Sequence, residues 1–520
     1  MITEILVFIF TTIVFYALYT YKWGHYYFQS RGLKYIQGVP LFGNTLRSTF
    51  GGHHMIYDID QVYKAFPNEK YVGYMEGTKP HVLVRDPGLI RQLTVKDFDH
   101  FLDHKSFFTD QIFMDSLFMM KGDRWRHMRA TLSPAFTGSK MKQMVPFMNE
   151  ISLNIVDYLK EKEGETINVD DIIRRYSNDV IASTAFGIQV NSLRDPDNEF
   201  YRTGQAVMTF TLYQKMKLVF MTMFPGLMKH ADIFPQSATE FFKRIVSETM
   251  QYREKNNIER PDMIQLLMEA KKGTLKAQGE DKLDKIGFAT TEDIEVKPQS
   301  EKSDWTQDEL AAQAFLFFAA GFESAASAIA LAIHELAINP AVQSRLHDEV
   351  KQTHDKHGRV NYEVIQGMKY LDCVFSETLR KWSPAIVMDR VCVRPYTLPP
   401  ASEGAKPVKV NIGDVLYNVV NSLQLDPQYY PDPLKFDPDR FSDERKHEIQ
   451  PTTYVPFGNG PRNCIASRFA ILEAKVLMFH LILNFEVLKT EKTLDPIVLR
   501  AGDFSIKVKG GSYVQCRARK

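Results

Sequence analysis

The chain has 520 residues, a hydrophobic fraction of 44% and an aromatic fraction of 12%, ample for a large buried core and far from a disordered composition. A formal net charge of +1 supplies no global field that would gather nucleic acid. The four cysteines, Cys373, Cys392, Cys464 and Cys516, form no Cys-x-x-Cys pair, which argues against a zinc ribbon, a thioredoxin-like site or a disulfide scaffold and fits a reducing compartment.

The first element is apolar. ILVFIFTTIVFYALYTY, residues 5–21, carries no charge and at the helical rise spans roughly 25 Å, near the lower limit for a bilayer core. A cleaved signal peptide would want a basic start, a shorter apolar stretch and small residues at its end. Instead Glu4 precedes the run and Tyr19, Tyr21 and Trp23 close it. A retained anchor over residues 1–22 is expected. Lys22, Arg31 and Lys34 then keep the remainder in the cytosol, with Trp23, Tyr26 and Tyr27 at the headgroups. A joint over residues 23–45, containing GVPLFGN, leads into one body over residues 46–520.

Within that body HVLVRD, residues 81–86, alternates as a strand does, and from about Val95 onward helical patterns dominate. Residues 271–304, polar with scattered Gly and a Pro, read as a long surface loop. VLYNVV, residues 415–420, returns as a short strand. There is no internal repeat and no regular strand–helix alternation, so the fold class is mainly α with minor β.

A second long apolar run begins after Thr306 and Glu309, which have capping-box spacing, and ends at Asn339-Pro340. Read as a membrane span it would carry Glu323 in its middle, at a cost of about 2.5–3.5 kcal/mol on insertion scales. Read as the central buried helix of a large domain it needs no such penalty, and that reading is preferred. Phe317, Ala320, Gly321, Ser324 and Ala328 share one side of it. Small residues there make either a flat groove or a close helix–helix contact. Glu323 beside Ser324, an acid next to a hydroxyl, favours the groove, because such a pair is a proton path.

The last informative stretch is FGNGPRNCIASRFA, residues 457–470. Gly458 and Gly460 permit left-handed backbone, and an apolar helix is expected over residues 465–485. Cys464 would then stand at its amino-terminal end beside Arg462, where a thiolate is favoured as nucleophile or metal ligand. The bland alternative is an inert buried cysteine.

Phe457-x-x-Gly460-x-Arg462-x-Cys464 resembles the haem-binding loop of the cytochrome P-450 superfamily. Glu377-Thr378-Leu379-Arg380 is similar to that family's Glu-x-x-Arg, and Phe436-Asp437-Pro438-Asp439-Arg440-Phe441 to its Pro-x-Arg-Phe segment. Ala320-Gly321-Phe322-Glu323-Ser324 resembles the oxygen-binding segment of its long helix, and Trp125 to Arg129 its Trp-x-x-x-Arg. The motifs fall in the family's order and cover nearly the whole chain. LSPAFTGSKM, residues 132–141, and DMIQLLMEAKKG, residues 262–273, further resemble insect microsomal members.

The resemblance implies a single P-450 catalytic domain behind an endoplasmic-reticulum anchor. It implies haem b with Cys464 as axial thiolate, and Trp125, Arg129, Arg390 and Arg462 around the propionates. Glu377, Arg380 and Arg440 would form a buried ion-pair network, and Ala320, Gly321, Glu323 and Ser324 would handle dioxygen and its protons. By family position the substrate pocket would take Phe107, Phe108, Phe113, Phe118, Phe317, Phe318, Ile386, Val387 and Met388. The 218–226 segment would form either an entry lip in the bilayer or a buried helix end.

The implied reaction is monooxygenation of lipophilic small molecules, with O2 and NADPH as co-substrates. Electrons would come from NADPH–cytochrome P-450 reductase, with Lys121, Arg124 and Arg126 either its docking points or a solvated basic helix face, and with cytochrome b5 as an optional second donor. Xenobiotics are the expected substrates, with an endogenous hormone, terpenoid or fatty acid as the alternative. A reductase-independent isomerase is disfavoured by Glu323 and Ser324, which it would not need. Two residues depart from the family pattern: Ser324, where threonine is usual, and Ala466, where glycine is usual.

Overall fold

The two long apolar runs have opposite fates in the computed structural model. Only 6% of the most apolar window of the first is buried, against 72% of the second. The structure describes residues 1–106, 109–224, 226–228, 231–275, 287–290, 296–297 and 304–519. The loop expected over 271–304 therefore lies largely outside the described residues.

The first run is helix α1, Ile2–Ser30. It continues past the expected anchor, so residues 23–30 of the expected joint are helical. Its end is packed into the body. Phe28 is 1% exposed, and its ring lies over Gly73, where a Cβ would come within 2.5 Å of it. Further up the helix, the Tyr16 hydroxyl donates to the Met223 carbonyl at 2.9 Å.

The strands are β1 Tyr71–Glu76, β2 Lys79–Val84, β3 Thr166–Asn168, β4 Val387–Val391, β5 Tyr396–Leu398, β6 Val408–Val410, β7 Val415–Val419, β8 Phe485–Leu488 and β9 Tyr513–Ala518. They form three small sheets, in the orders β1-β2-β7-β4, β3-β9-β8 and β5-β6. Both strands read from sequence are present, as β2 and β7, which pair in parallel with Val82 opposite Leu416. β4 lies antiparallel to β7, with Arg390 opposite Leu416.

The helices that position the site are α2 Gly122–Leu132, α3 Gly138–Glu161, α4 Val169–Phe186, α5 Glu199–Met208, α6 Leu212–Met223, α7 Gln236–Asn256, α8 Gln307–Ile338, α9 Lys369–Lys381 and α10 Ser467–Asn484. The central helix α8 runs unbroken for 32 residues. It starts where its capping box places it: Thr306 Oγ1 accepts from Glu309 N at 3.2 Å, and the Glu309 carboxylate accepts from Thr306 N at 3.0 Å. It stops at Asn339, ahead of Pro340.

Helix α4 packs along α8. Gly321 makes this approach possible, since a Cβ there would lie 3.0 Å from Ile181 Cδ1. On another side Phe318 fills the gap between α5 and α7, against Phe200 and Phe242. Gly204 yields the space, as its Cβ would fall 2.2 Å from the Phe318 ring. The largest apolar core joins these helices, and two smaller ones lie under the sheets.

Candidate active site

The cysteine loop is built on two glycines. Gly458 and Gly460 have φ of +84° and +76°. A Cβ on Gly460 would sit 1.9 Å from the Thr94 carbonyl oxygen, and one on Gly458 2.9 Å from Met388 Sδ. Cys464 N donates to Phe457 O at 2.8 Å and closes the loop. Ala466 has φ −99°, open to any L-residue, so glycine is not needed there.

Helix α10 begins at Ser467, so Cys464 precedes the helix and does not stand on its first turn. Burial pushes the Cys464 thiol up, against the opposing pull of the Ala466 N–H and the Arg129 charge. Burial thus opposes the thiolate that the helix end and Arg462 were expected to favour. Desolvation outweighs these two contacts, and a bound metal is what would take the proton off.

Three arginines converge beside the loop. Arg129, on α2, donates to Asn463 O at 2.8 Å and to Asn463 Oδ1 at 2.6 Å. Arg390, on β4, is 2% exposed, gives one hydrogen bond to the neighbouring Asp389 carbonyl, and leaves its buried Nε–H without a partner. Burial lowers its pKa to about 10, with Asp389 opposing. Arg462 is pushed well below the usual arginine range by burial first and by the like charge of Arg390 next. Its guanidinium lies 4.2 Å from the centre of the Trp125 ring.

Arg462 was expected to offer its donors to a propionate. It instead gives four hydrogen bonds to backbone carbonyls, those of Leu102, Leu117, Phe118 and Met120, and so pins the segment ahead of α2. An arginine reaches carbonyls this way when the chain around it offers more acceptors than helices and sheets consume.

On α8, Ala320 and Ser324 are exposed in the middle of an otherwise buried helix, and Leu316, Phe317, Ala319 and Gly321 are partly exposed beside them. Leu316 and Ala319 were missed from sequence, although Leu316 stands one turn before Ala320. Gly321 serves the α4 contact more than a groove. The Ser324 hydroxyl donates to Ala320 O at 2.5 Å. Glu323, one residue along, is buried on a different side. Its carboxylate contacts Lys507 Nζ, with Arg174 Nε at 3.7 Å and the Ser505 hydroxyl at 3.3 Å.

Glu377, Arg380 and Arg440 meet as expected. Arg380 grips the Glu377 carboxylate with two hydrogen bonds of 2.6 and 2.8 Å, and Arg440 Nε stands 3.6 Å away. Arg380 also donates to Gln424 O and Pro433 O, and Asp437 N donates to Glu377, so the network ties α9 to the strand-free stretch before the cysteine loop.

The apolar candidates divide. Phe317 packs edge-on to Phe136, whose carbonyl is 3.4 Å from Arg468 just past the cysteine, so this ring links α8 to the loop. Phe118 is 38% exposed and stacks on His104, 4.6 Å between rings. Val387 and Met388 are partly exposed on β4. Phe113 and Ile386 are buried in apolar clusters. Phe318 is wholly buried among Phe200, Phe242 and Phe322, turned from the Ala320–Ser324 face, and is a core residue. Phe107 and Phe108 lie outside the described residues.

The basic trio near Trp125 also divides. Arg126 is 9% exposed and bound to Asp99 at 2.5 Å, so it is not available for docking. Arg124 contacts Glu309 but keeps 58% of its side chain exposed, and Lys121 is exposed.

These residues fit a flat apolar group with an anionic edge. Partly exposed apolar side chains on α8 and on the cysteine loop (Phe457, Ile465 and Ala466) supply the faces. Buried Arg462 is repelled by Arg390 and by Arg129, with Asp103 and Asp389 opposing, and Arg390 keeps an unmatched donor, so the cluster can take an anion. Haem meets both demands.

The chain matches the family profile described as Cytochrome P450 over residues 34–513. It is 40% identical over 516 residues to "Probable cytochrome P450 9f2" of Drosophila melanogaster, covering 95% of this chain and 96% of that protein. It is also 40% identical over 524 residues to "Cytochrome P450 9e2" of Blattella germanica, covering 96% and 95%. "Cytochrome P450 6k1" of Blattella germanica is 34% identical over 480 residues, covering 91% and 89%. The cysteine loop, the arginine cluster and the buried Glu377–Arg380 pair are thus parts of a haem-thiolate monooxygenase, and the chain belongs to the cytochrome P450 family.

Proposed function

We propose that the protein inserts one oxygen atom of O2 into lipophilic small molecules, xenobiotics such as insecticides or plant toxins, at the endoplasmic reticulum membrane with its body in the cytosol. The reaction is RH + O2 + NADPH + H+ giving ROH, NADP+ and water. Electrons come from NADPH–cytochrome P-450 reductase, with cytochrome b5 as an optional second donor. The observation that carries this reading is Cys464 in a glycine-built loop beside the buried cluster Arg129, Arg390 and Arg462.

Haem b, when bound, supplies the oxygen-activating and electron-accepting chemistry. Cys464 is its ligand, and Arg390 is the arginine with a donor to spare for a propionate. Arg129 and Trp125 stand beside it, and Arg462 holds the wall. The exposed Ala320–Ser324 face leaves room for dioxygen. Ser324 presents a hydroxyl there, and Glu323, one residue before it, is the acid of the proton relay. Partly exposed Leu316, Phe317, Phe118, Val387 and Met388 exclude water and favour apolar substrates. Exposed Lys121 and Arg124 are docking points for an acidic reductase. The apolar, uncharged α1 is the anchor, and the exposed Leu212, Tyr213, Met216 and Phe220 of α6 lie on the substrate-entry side, in contact with the bilayer.

The test is a reduced, carbon-monoxide-bound spectrum. The parent should show the shifted band of a thiolate-ligated haem, and Cys464→Ala should lose it. An unchanged spectrum in the variant overturns the ligand assignment. Turnover of a lipophilic panel with reductase and NADPH, read by mass spectrometry, then tests the substrate class. Product formed without reductase refutes the electron path.

A further inference from the structure

Residues 287–290, Gly-Phe-Ala-Thr, belong to the stretch that reads as a surface loop, yet they form a turn docked on the body. Thr290 N donates to Gly287 O at 3.1 Å and closes the turn. Ala289 is 5% exposed and sits in the largest apolar core. Only glycine fits the first position. A Cβ on Gly287 would fall 1.9 Å from Asp372 Oδ1 and 3.1 Å from Lys475 Nζ.

From Phe288 two lines of contact run to the two flanks of the cysteine segment. On the upstream side its ring lies 5.6 Å from that of Tyr454 and 5.2 Å from that of Phe441, and these two are 4.9 Å apart. Tyr454 stands just ahead of Phe457, where the cysteine loop begins. Its hydroxyl donates to Ser376 O on α9 at 3.0 Å. Val455 N, the next along, donates to Gln424 Oε1 at 3.0 Å, and Gln424 Nε2 donates to Leu379 O and Arg380 O of α9. On the downstream side Phe288 N donates to Asp372 Oδ2 at 2.8 Å, and the other oxygen of that carboxylate lies 2.7 Å from Lys475 Nζ. Lys475 is on α10, the helix that follows the cysteine, and is wholly buried. A buried ammonium needs its counter-ion held in place.

We infer that Phe288 is a positioning residue for the cysteine ligand, bracing the segment 454–475 on both sides of Cys464. The ring steadies Tyr454, and the backbone amide orients Asp372 toward Lys475. The inference rests on Cys464 as the haem ligand. Without the ring, the turn loses its seat on Phe441 and Tyr454, and its amide drifts from Asp372. Both flanks of the cysteine loop are then free to move. A turn far from the cysteine in sequence thus sets how long the ligand stays in place.

The experiment compares Phe288→Ala, Phe288→Tyr, Gly287→Ala and Ile59→Ala with the parent, as full-length, haem-loaded protein. Ile59 is 1% exposed in a separate apolar cluster under the sheets and serves as a measure of ordinary destabilisation. Three quantities are read: the thermal midpoint, the rate at which the shifted band of the reduced, carbon-monoxide-bound protein decays below that midpoint, and hydrogen exchange of amides 457–466. Phe288→Ala should speed band decay about two- to ten-fold, the range that loss of one aromatic contact allows, and raise exchange across the cysteine loop. Phe288→Tyr keeps the ring and should restore both. Gly287→Ala, which drives the turn off Asp372, should equal or exceed Phe288→Ala. Ile59→Ala should lower the midpoint and leave band lifetime and loop exchange as in the parent.

Parental band lifetime in both Phe288→Ala and Gly287→Ala would overturn the inference and leave Cys464 as the ligand. Equal band decay in Phe288→Ala and Ile59→Ala would mean ordinary destabilisation and would overturn it as well, as would failure of Phe288→Tyr to restore the lifetime. If Cys464→Ala keeps the shifted band, the ligand assignment itself falls and the inference with it. Should Phe288→Ala yield no haem-loaded protein, Phe288→Leu takes its place, with a smaller effect of the same kind expected and none counting against the inference.

Discussion

Gly460→Ala should damage the cysteine loop far more than Gly458→Ala, although the two glycines are two residues apart and have nearly the same backbone angles. Each alanine would have to adopt left-handed backbone, costing about 1–2 kcal/mol. The difference lies in what the new methyl meets. At 460 it would lie 1.9 Å from a backbone carbonyl, that of Thr94, inside the π-helical turn Gln92–Lys96. That wall cannot withdraw, and overpacking adds about 1–3 kcal/mol, for a total of about 2–5 kcal/mol. At 458 the nearest atom, 2.9 Å away, is the sulfur of Met388, a flexible side chain that can move aside. Only the backbone term of about 1–2 kcal/mol then remains. For a chain of this size each kcal/mol shifts the thermal midpoint by about 1 °C. The assay is the thermal midpoint together with the fraction of protein giving the thiolate band when reduced and bound to carbon monoxide. Gly460→Ala should lose most of that band and Gly458→Ala keep most of it. Equal behaviour of the two variants, or a Gly460→Ala protein with the parent's midpoint and spectrum, would refute the reasoning.

Arg380→Leu leaves the wholly buried Glu377 with Arg440 Nε at 3.6 Å as its cation and Asp437 N as its hydrogen-bond donor. It should cost about 3–5 kcal/mol, read as a lowered midpoint and a lower yield of haem-loaded protein, with Arg380→Lys intermediate because an ammonium cannot make the fork. Burial raises the Glu473 pKa to about 8, opposed by the Ser177 hydroxyl. Folded protein therefore holds a proton that unfolded chain has released between the ordinary carboxylate range and about pH 8. Stability should fall across that window as pH rises, by up to about 1.4 kcal/mol per pH unit. Glu473→Gln should flatten this dependence, its midpoint exceeding the parent's at about pH 8 and converging with it at about pH 5. A constant offset at both pH values would rule the account out. Ser324→Thr adds a methyl that narrows the hydroxyl's rotamers, and should raise product per NADPH and lower peroxide. Unchanged or greater peroxide would sink that expectation.

Much of the scaffold could be read locally. The Thr306–Glu309 box and Asn339-Pro340 bound α8 because capping and proline chemistry act within a few residues. The Glu377–Arg380 pair was readable for the same reason, one helical turn being enough to bring the two together. Contacts between distant segments were not readable. Arg462 looked like a free donor until Leu102, Leu117, Phe118 and Met120 came round to meet it. Spacing grouped Gly321 with the cavity face, but Ile181 on another helix claimed it. Phe318 passed for pocket because it adjoins Phe317, yet one residue on a helix is enough to turn a ring into the core. Arg174 and Lys507 carry no local sign of their link to Glu323. The burial of the cysteine was not readable either, because burial is a property of the whole fold.

The junction of Phe28 with Gly73 has a mechanical consequence. A transmembrane segment joined by a slack linker would let the body tumble beneath the bilayer like a buoy on a chain. Here the end of α1 is keyed into the β1–β2 hairpin, and Tyr16 is hitched to the end of α6. If α1 spans the bilayer, its tilt sets the attitude of the whole body, and the α6 side is held toward the lipid at every moment. Replacing Gly73 with a bulkier residue would then do more than loosen a core. It would change the angle at which the enzyme meets the membrane.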